Sequence, residues 1–279
     1  MNEPGMNGRS ARGLGVSFTD VRFAYPSGVQ ALDGVSIDIP AGQRVAIVGQ
    51  NGAGKTTLVR HLNGIFSPTS GQVVVGDTDT KGHTIAKLSA LVGYVFQNPD
   101  EQLFARKVRD DVAFGPKNLG AEPERIDELV ATALERVGLA GETDTHPHNL
   151  SLSERKRVAL AAVLAMDTPV VVLDEPTTGQ DQRGIALIAR IIADLTAQGR
   201  TVIAITHDMD FCVENFDRVI VMALGRVLAD GSPEEVFAKP DVLEQARVEA
   251  PQLMRLSTAL GWSDRPRTVA EFVDKLPAR

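Results

Sequence analysis

The sequence lacks the features that would commit it to several protein classes. Its 279 residues include one cysteine, Cys212, which rules out an internal disulfide or a cysteine-rich zinc site and fits a reducing compartment. Cys212 itself is expected to be a small buried hydrophobe. The longest apolar run, Val158 to Met166, has nine residues, well short of the roughly 20 that span a bilayer. Positive charge is in deficit, 29 Lys+Arg against 36 Asp+Glu for a formal charge of -7, so nothing global draws the chain to nucleic acid or anionic lipid. There is no internal repeat or low-complexity segment, which excludes a solenoid. The opening MNEPGMNGRSARGLG has no apolar core, so it is not read as a signal peptide but as a disordered tail over residues 1–14. What remains is a chain expected to be soluble and, at about 150 residues per domain, long enough to bury a core without staples.

Short strands punctuated by turns are predicted at Val16 to Phe23, Val35 to Ile39 and Val45 to Val48. The last runs into a glycine-rich turn and an apolar segment of helical period, Thr56 to Leu62. Gln72 to Val75 and Val92 to Phe96 add further strands. From Asp110 to Ala165 the pattern turns helical. Ile126, Leu129, Val130, Ala133, Leu134 and Val137 form one core-facing stripe there, which Gly138 ends as a C-terminal cap would. Val170 to Leu173, Thr201 to Ile205 and Arg218 to Ala223 read as buried strands, with a helix at Ile185 to Leu195, an alternation that signals a parallel sheet. Ser232, Pro233 and Glu235 spell a capping box with proline at the first helical position, opening a helix through Phe237. After Lys239 the chain reads as a separate region with helical patches at Leu243 to Val248, Leu253 to Leu260 and Val269 to Leu276.

Two segments carry chemistry. Gly49 to Thr56, GQNGAGKT, matches the glycine-rich phosphate loop in full and stands between a strand and a helix, as the mechanism requires. The backbone from Gly49 through Gln50, Asn51, Gly52, Ala53 and Gly54 can curl its amides toward phosphate oxygens. Lys55 would reach the β and γ phosphates, Thr56 would place its hydroxyl on Mg2+, and Thr57 would support the α phosphate side. The strand Val170 to Leu173 then delivers Asp174 and Glu175 at its carboxyl end, where ligands gather in open α/β sheets. Asp174 would bind Mg2+ through water and Glu175 would orient or deprotonate the attacking water. His146 and His148, in THPHNL, have no third ligand nearby and read as a polar loop.

GQNGAGKT, LDEPTTGQD (Leu173 to Asp181) and THD (Thr206 to Asp208) together resemble the nucleotide-binding subunit of ATP-binding cassette (ABC) transporters, over nearly the whole chain from about Val16. The resemblance implies an α/β fold, a P-loop NTPase of the ABC ATPase type with a mixed-sheet core lobe. The cassette would span residues 15–238, with an α-helical subdomain inserted at about 97–166 and a C-terminal helical extension over 239–279. It implies that Tyr25 stacks on adenine, that Gln97 senses the γ phosphate and Mg2+ while its loop touches the membrane subunit, that Asp181 makes a dimer contact and that His207 contacts the γ phosphate. Glu175, His207, Lys55 and Gln97 would then carry catalysis, Thr56, Gln97 and Asp174 the metal, with ATP and Mg2+ as cofactors. A second, identical or non-identical ATPase would complete each site, with no nucleic acid involved.

One segment departs from the pattern. Where the family has LSGGQ, which caps the γ phosphate held by the other subunit, this chain has LSLSE, Leu150 to Glu154. Ser151 and Ser153 are its candidate nucleotide contacts, and Ser151 with Glu154 still spells a capping box. Leu152 and Ser153 replace the two glycines, and Glu154 adds negative charge, although Arg155, Lys156 and Arg157 follow. A weakened signature half is therefore expected, and with it an asymmetric ATPase pair.

NPDEQLF, at Asn98 to Phe104, resembles the loop and short helix of energy-coupling factor ATPases, including the cobalt and nickel branch. The strings GSPEEVF, APQLMRL and LGW followed by RTVAEFVDKL resemble that group's carboxyl extension. The branch implies a peripheral subunit on the cytoplasmic face of the cell membrane. Phe96 and Phe104 would seat a coupling helix of a transmembrane subunit, and a membrane substrate-binding subunit would take up a micronutrient, a cobalt or nickel ion or a vitamin such as biotin. Two other readings stay open: a nucleotide-gated interaction module with weak hydrolysis, and a soluble non-transport ABC ATPase, against which the absence of sustained heptads between Lys55 and Asp174 speaks.

Overall fold

The computed structural model describes residues 13–262 and 265–276. Residues 1–12 of the expected tail lie outside the described residues, but Gly13 and Leu14 are bound. The Gly13 amide donates to the Gly199 carbonyl at 2.8 Å and the Leu14 carbonyl accepts from the Thr201 hydroxyl at 2.7 Å.

The chain opens with strands β1 (Val16–Ala24), β2 (Gln30–Ile39) and β3 (Arg44–Val48), followed by helix α1 (Lys55–Val59). β4 (Ser70–Val75), β5 (Thr78–Asp79), α2 (Ile85–Leu88) and β6 (Val92–Val95) follow. Three helices then pack on one another, α3 (Val108–Asn118), α4 (Pro123–Arg136) and α5 (Leu152–Ala165). Next come β7 (Val170–Asp174), α6 (Gln182–Ala197), β8 (Thr201–Ile205), α7 (Met209–Asn215), β9 (Arg218–Ala223) and β10 (Arg226–Gly231). The described chain ends with α8 (Pro233–Phe237), α9 (Pro240–Ala246), α10 (Gln252–Ala259) and α11 (Val269–Asp274).

Two sheets result, an antiparallel one in the order β2-β1-β4-β5 and a larger one in the order β10-β9-β3-β8-β7-β6. In the second, β9, β3, β8, β7 and β6 are parallel and only β10 runs against its neighbour. Parallel strands buried on both faces show no polar alternation, and β3, β7 and β8 split accordingly. Val45 and Ile47 of β3 join the cluster against the antiparallel sheet, whereas Ala46 and Val48 join the cluster against the helices. The site-bearing sheet is thus clamped between two cores. The expected stripe on α4 is present, with Val130, Ala133, Leu134 and Val137 buried and Ile126 and Leu129 packed at its edge. Gly138 ends it at φ +70°, its amide bonding Glu135 while Leu139 bonds back to Leu134, the paired C-terminal closure that a left-handed residue allows. Cys212 is fully buried, and burial pushes its thiol pKa up.

The structure differs from the sequence reading at several places. The helix expected from Thr56 to Leu62 is α-helical only over Lys55–Val59, because His61 and Leu62 bond back three residues rather than four. β2 begins five residues before the expected Val35, because irregular register opposite β1 absorbs Asp33 and Gly34, which resemble turn residues. α7 and β10 were not legible; β10 folds back on β9 through Leu224 and Gly225, both at positive φ, the two-residue hairpin geometry. The helices after Lys239 exist, but α9 packs on β9 and β10, and Leu243, Ala246 and Met254 belong to the main core rather than to a detached unit.

Gly93 of β6 lies where α5 crosses the sheet. A Cβ there would meet Val163 Cγ1 at 2.5 Å and Thr168 Oγ1 at 2.7 Å, and that hydroxyl accepts from the Gly93 amide. Neither neighbour can give way, since one is β-branched and the other is hydrogen-bonded. Gly93→Ala should therefore lower stability by about 1–3 kcal/mol, read as a lowered denaturation midpoint.

Candidate functional site

Most of the residues singled out by sequence for phosphate, metal and water converge on one cleft; Gly49 and Gln50 are not among its lining residues. Asn51 to Thr57, Gln97, Asp174, Glu175, Ile205 and His207 line an open volume of about 170 Å³. That is below the roughly 300 Å³ of an ordinary small-molecule pocket.

The loop between β3 and α1 holds its shape because glycine is required where the chain touches its neighbours. A Cβ on Gly49 would lie 2.1 Å from the Met222 carbonyl oxygen, and one on Gly54 would lie 2.5 Å from that of Ala31. Lys55 is buried and turns back on its own loop, its Nζ donating to the carbonyls of Gly49 at 2.7 Å and Gln50 at 3.0 Å. Burial lowers its pKa against the pull of Glu175 and Asp174. The ammonium is thus held ready in a buried position, on acceptors that phosphate oxygens can replace.

Thr56 and Asp174 meet across the cleft, the hydroxyl donating to Oδ1 at 3.5 Å, while Tyr94 donates to Oδ2 at 2.8 Å. Burial raises the pKa of Asp174 despite those two bonds, so the carboxylate is under-compensated. An all-oxygen set of hydroxyl, carboxylate and the exposed Gln97 amide at the rim suits a hard dication such as Mg2+.

Glu175 has φ +53°, a left-handed conformation unusual for a side chain of its size. Its Oε2 accepts from the His207 amide at 3.3 Å and the Thr178 hydroxyl at 3.5 Å. His207 Nε2 lies 3.0 Å from Oε1, close enough for an ion pair but outside hydrogen-bond alignment. Burial pushes the Glu175 pKa up to about 7 and pulls that of His207 down, with Lys55 adding to the latter. A carboxylate poised near neutrality beside a neutral imidazole can accept a proton from water.

Other expected residues stand apart from the cleft. Tyr25 is half-buried against Phe23 and Phe66 and reaches the site only through its hydroxyl, 2.7 Å from Thr57 Oγ1. Asp181 caps α6 by accepting from the Gly184 amide. Ser151 and Ser153 lie at the start of α5 and bond within the chain. Ser151 is capped by Glu154, whose Oε2 accepts from both its amide at 2.9 Å and its hydroxyl at 2.7 Å. Those two donors hold the Glu154 pKa down, so the carboxylate stays charged. The three cations that follow diverge: Arg155 approaches Asp100 at 3.6 Å, Lys156 donates to the Glu175 carbonyl, and Arg157 donates to that of Val137. Tyr94, Lys156, Thr178 and Gln180 were not anticipated. The partners of Tyr94, Lys156 and Gln180 are 80, 19 and 27 residues away, beyond the reach of local pattern, whereas Thr178 lies within LDEPTTGQD, three residues from Glu175.

Known proteins resemble the chain over most of its length. Residues 32–178 match the ABC transporter family. The energy-coupling factor transporter ATP-binding protein EcfA of Methanothermobacter thermautotrophicus is 42% identical over 247 residues, 88% of this chain and 79% of the relative. EcfA of Methanocaldococcus jannaschii is 41% identical over 251 residues, 89% of this chain and 90% of the relative. Among solved structures, cbiO1 of Clostridium perfringens, described as part of the ABC transporter complex cbiONQ, superposes with a TM-score of 0.73 at 36% identity, covering 88% of this chain and 98% of that one. The ATP-binding cassette MJ0796 shares the fold, with a TM-score of 0.72 at 24% identity. With its phosphate loop, acidic pair and histidine gathered in one cleft, the chain belongs to the ABC transporter family as an ATP-hydrolysing component.

Proposed function

We propose that this chain is the ATPase subunit of an energy-coupling factor transporter, driving uptake of a micronutrient through separate membrane subunits from the cytoplasmic face of the membrane. The observation that carries the reading is the convergence of Lys55, Thr56, Asp174, Glu175 and His207 on one cleft. The likeness to the EcfA proteins and cbiO1 supports the branch. No helix among the described residues is long and apolar enough to cross a membrane, in keeping with a subunit seated on membrane partners.

Hydrolysis is an in-line attack of water on the γ phosphate. Lys55 and the loop amides bind the phosphates, apart from the amides of Gln50 and Ala53, which donate to the Ala246 and Gln50 carbonyls; Lys55 exchanges the Gly49 and Gln50 carbonyls for phosphate oxygens. Glu175 accepts the proton of the attacking water, and His207 holds that carboxylate in place while sharing the γ phosphate. Thr56, Asp174 and Gln97 would hold Mg2+, which would supply neutralisation of the charge that develops on the phosphates. Tyr25 offers an aromatic face for adenine beside Thr57.

The transmembrane partner has a candidate seat. Phe104 is 66% exposed and Phe114 49%, their rings 4.8 Å apart edge to face, a pair that a monomer gains nothing by leaving in water. The loop presenting Phe104 is rigid, because Asp111 accepts from both the Phe104 and Ala105 amides at 3.0 Å. Phe96 stands apart from this pair, beside Tyr94 and under the Arg60 guanidinium. The pair Phe104 and Phe114 is the aromatic anchor for a coupling helix. The transported solute touches none of these residues; cobalt, nickel and vitamins such as biotin fit the reading equally.

Glu175→Gln should bind ATP with unchanged affinity yet lose at least about a hundredfold in turnover, measured by phosphate release; retained steady-state hydrolysis would remove Glu175 from its role. In the native protein, kcat/KM should fall as pH drops below about 7, because protonated Glu175 cannot accept the proton of water. An ordinary glutamate would place that limb near 4.5. Because Glu154 occupies the Ser151 donors, the chain purified alone should hydrolyse ATP well below the rate it reaches with its partner subunits. Equal rates would rule out the asymmetric pair.

A further inference from the structure

Lys156 is a buried cation to which the hydrolytic mechanism above gives no role. Only 8% of its surface is exposed, and it lies behind the acidic pair rather than in the cleft. Burial lowers its pKa, opposed by the charges of Glu175 and Asp174. Its Nζ donates to the Glu175 carbonyl at 3.1 Å.

That carbonyl belongs to a residue held in an uncommon backbone conformation. Glu175 is left-handed at φ +53°, a conformation that persists only where surrounding structure fixes it. On one side its amide donates to the Ile205 carbonyl at 2.9 Å. On the other, the Lys156 ammonium supplies the opposing bond. Three residues earlier on the same face of α5, Ser153 grips the far end of the loop. Its hydroxyl donates to Gln180 Oε1 at 2.7 Å, and Gln180 Nε2 donates back to the Ser153 carbonyl at 3.1 Å. One face of α5 therefore holds the loop from Glu175 to Gln180 at both ends.

We propose that Lys156 is a positioning residue for ATP hydrolysis, its buried ammonium fixing the Glu175 peptide so that the carboxylate is presented to the attacking water. The proposal rests on the reading of Glu175 as the proton acceptor. It also gives the altered signature segment a task within its own chain, because any rotation of α5 is delivered to Glu175 through this bond and to Gln180 through Ser153.

The test compares Lys156→Met, which keeps an unbranched stem but no donor, with Lys156→Arg, which keeps donor and charge. Each is measured by steady-state hydrolysis in the full chain with its copurifying subunits, by binding of a fluorescent ATP analogue and by thermal denaturation, with Glu175→Gln alongside. Lys156→Met should lose about ten- to a hundredfold in kcat while KM and analogue affinity stay within about twofold, the signature of a misplaced group rather than a lost binding site. Lys156→Arg should recover most of the rate. In the Glu175→Gln background, Lys156→Met should cost nothing further, which a merely structural role would not produce. The proposal is overturned if Lys156→Met keeps kcat within about twofold, if Lys156→Arg is equally slow, or if the loss is the same in both backgrounds. Should Lys156→Met fail to fold, Lys156→Leu, which also lacks a donor, decides, with a reduced kcat at unchanged analogue affinity in support and native kcat against. Turnover retained by Glu175→Gln would bring down the reading of Glu175 itself, a result distinct from a silent Lys156→Met.

Discussion

The site rests on one line of register in the parallel sheet. Ile205, the last residue of β8, pairs with Ile47 of β3 on one side and with Asp174 of β7 on the other. That alignment brings three carboxyl ends to the same level, so the phosphate loop, the acidic pair and His207 emerge together although they come from distant stretches of sequence. A slip of one residue in either pairing would turn every side chain of the strand to the opposite core. The split of β3 between two hydrophobic clusters fixes the register against such a slip.

On that frame the fold buries charge that it only partly compensates. Lys55 and Lys156 are buried and shifted toward neutrality, and Asp174 and Glu175 are buried and shifted the same way. Two ammonium groups from opposite sides make the acidic pair tolerable without quenching it. A triphosphate and a dication would complete the compensation, so the free site is preorganised at a cost in stability that binding offsets. The left-handed backbone of Glu175 is a second store of strain at the same position.

The signature segment shows how one substitution pattern redistributes contacts. Glu154 takes the donors of Ser151, Ser153 bonds to Gln180, and Leu152 lies over Gly179, 3.3 Å from where a Cβ would stand. Each residue that departs from the family pattern is thereby engaged with its own chain. The helix start survives, as the capping box requires, while the hydroxyls are committed within the chain.

Much of this was legible in the sequence where chemistry is local. GQNGAGKT and the strand leading to Asp174 and Glu175 carry their function in spacing and side-chain type, and the capping boxes at Ser151 and Ser232 form as written. The stripe on α4 and its closure at Gly138 are also local, set by helical period and by a residue free to adopt positive φ. What the sequence could not decide depends on partners far along the chain. Tyr94 finds Asp174 and Lys156 finds Glu175 only once β6, β7 and α5 are stacked, and nothing in the run Arg155 to Arg157 says that its middle cation is buried while its neighbours turn elsewhere. α9 reads as part of an appendage until its terminal carbonyl, that of Ala246, accepts from the Gln50 amide of the phosphate loop at 3.1 Å. The sequence by itself singled out the residues proposed for phosphate, metal and water, because those roles are read from functional groups at fixed spacing. Only the tertiary structure decided which residues hold them in place, because positioning is a matter of distance across the fold.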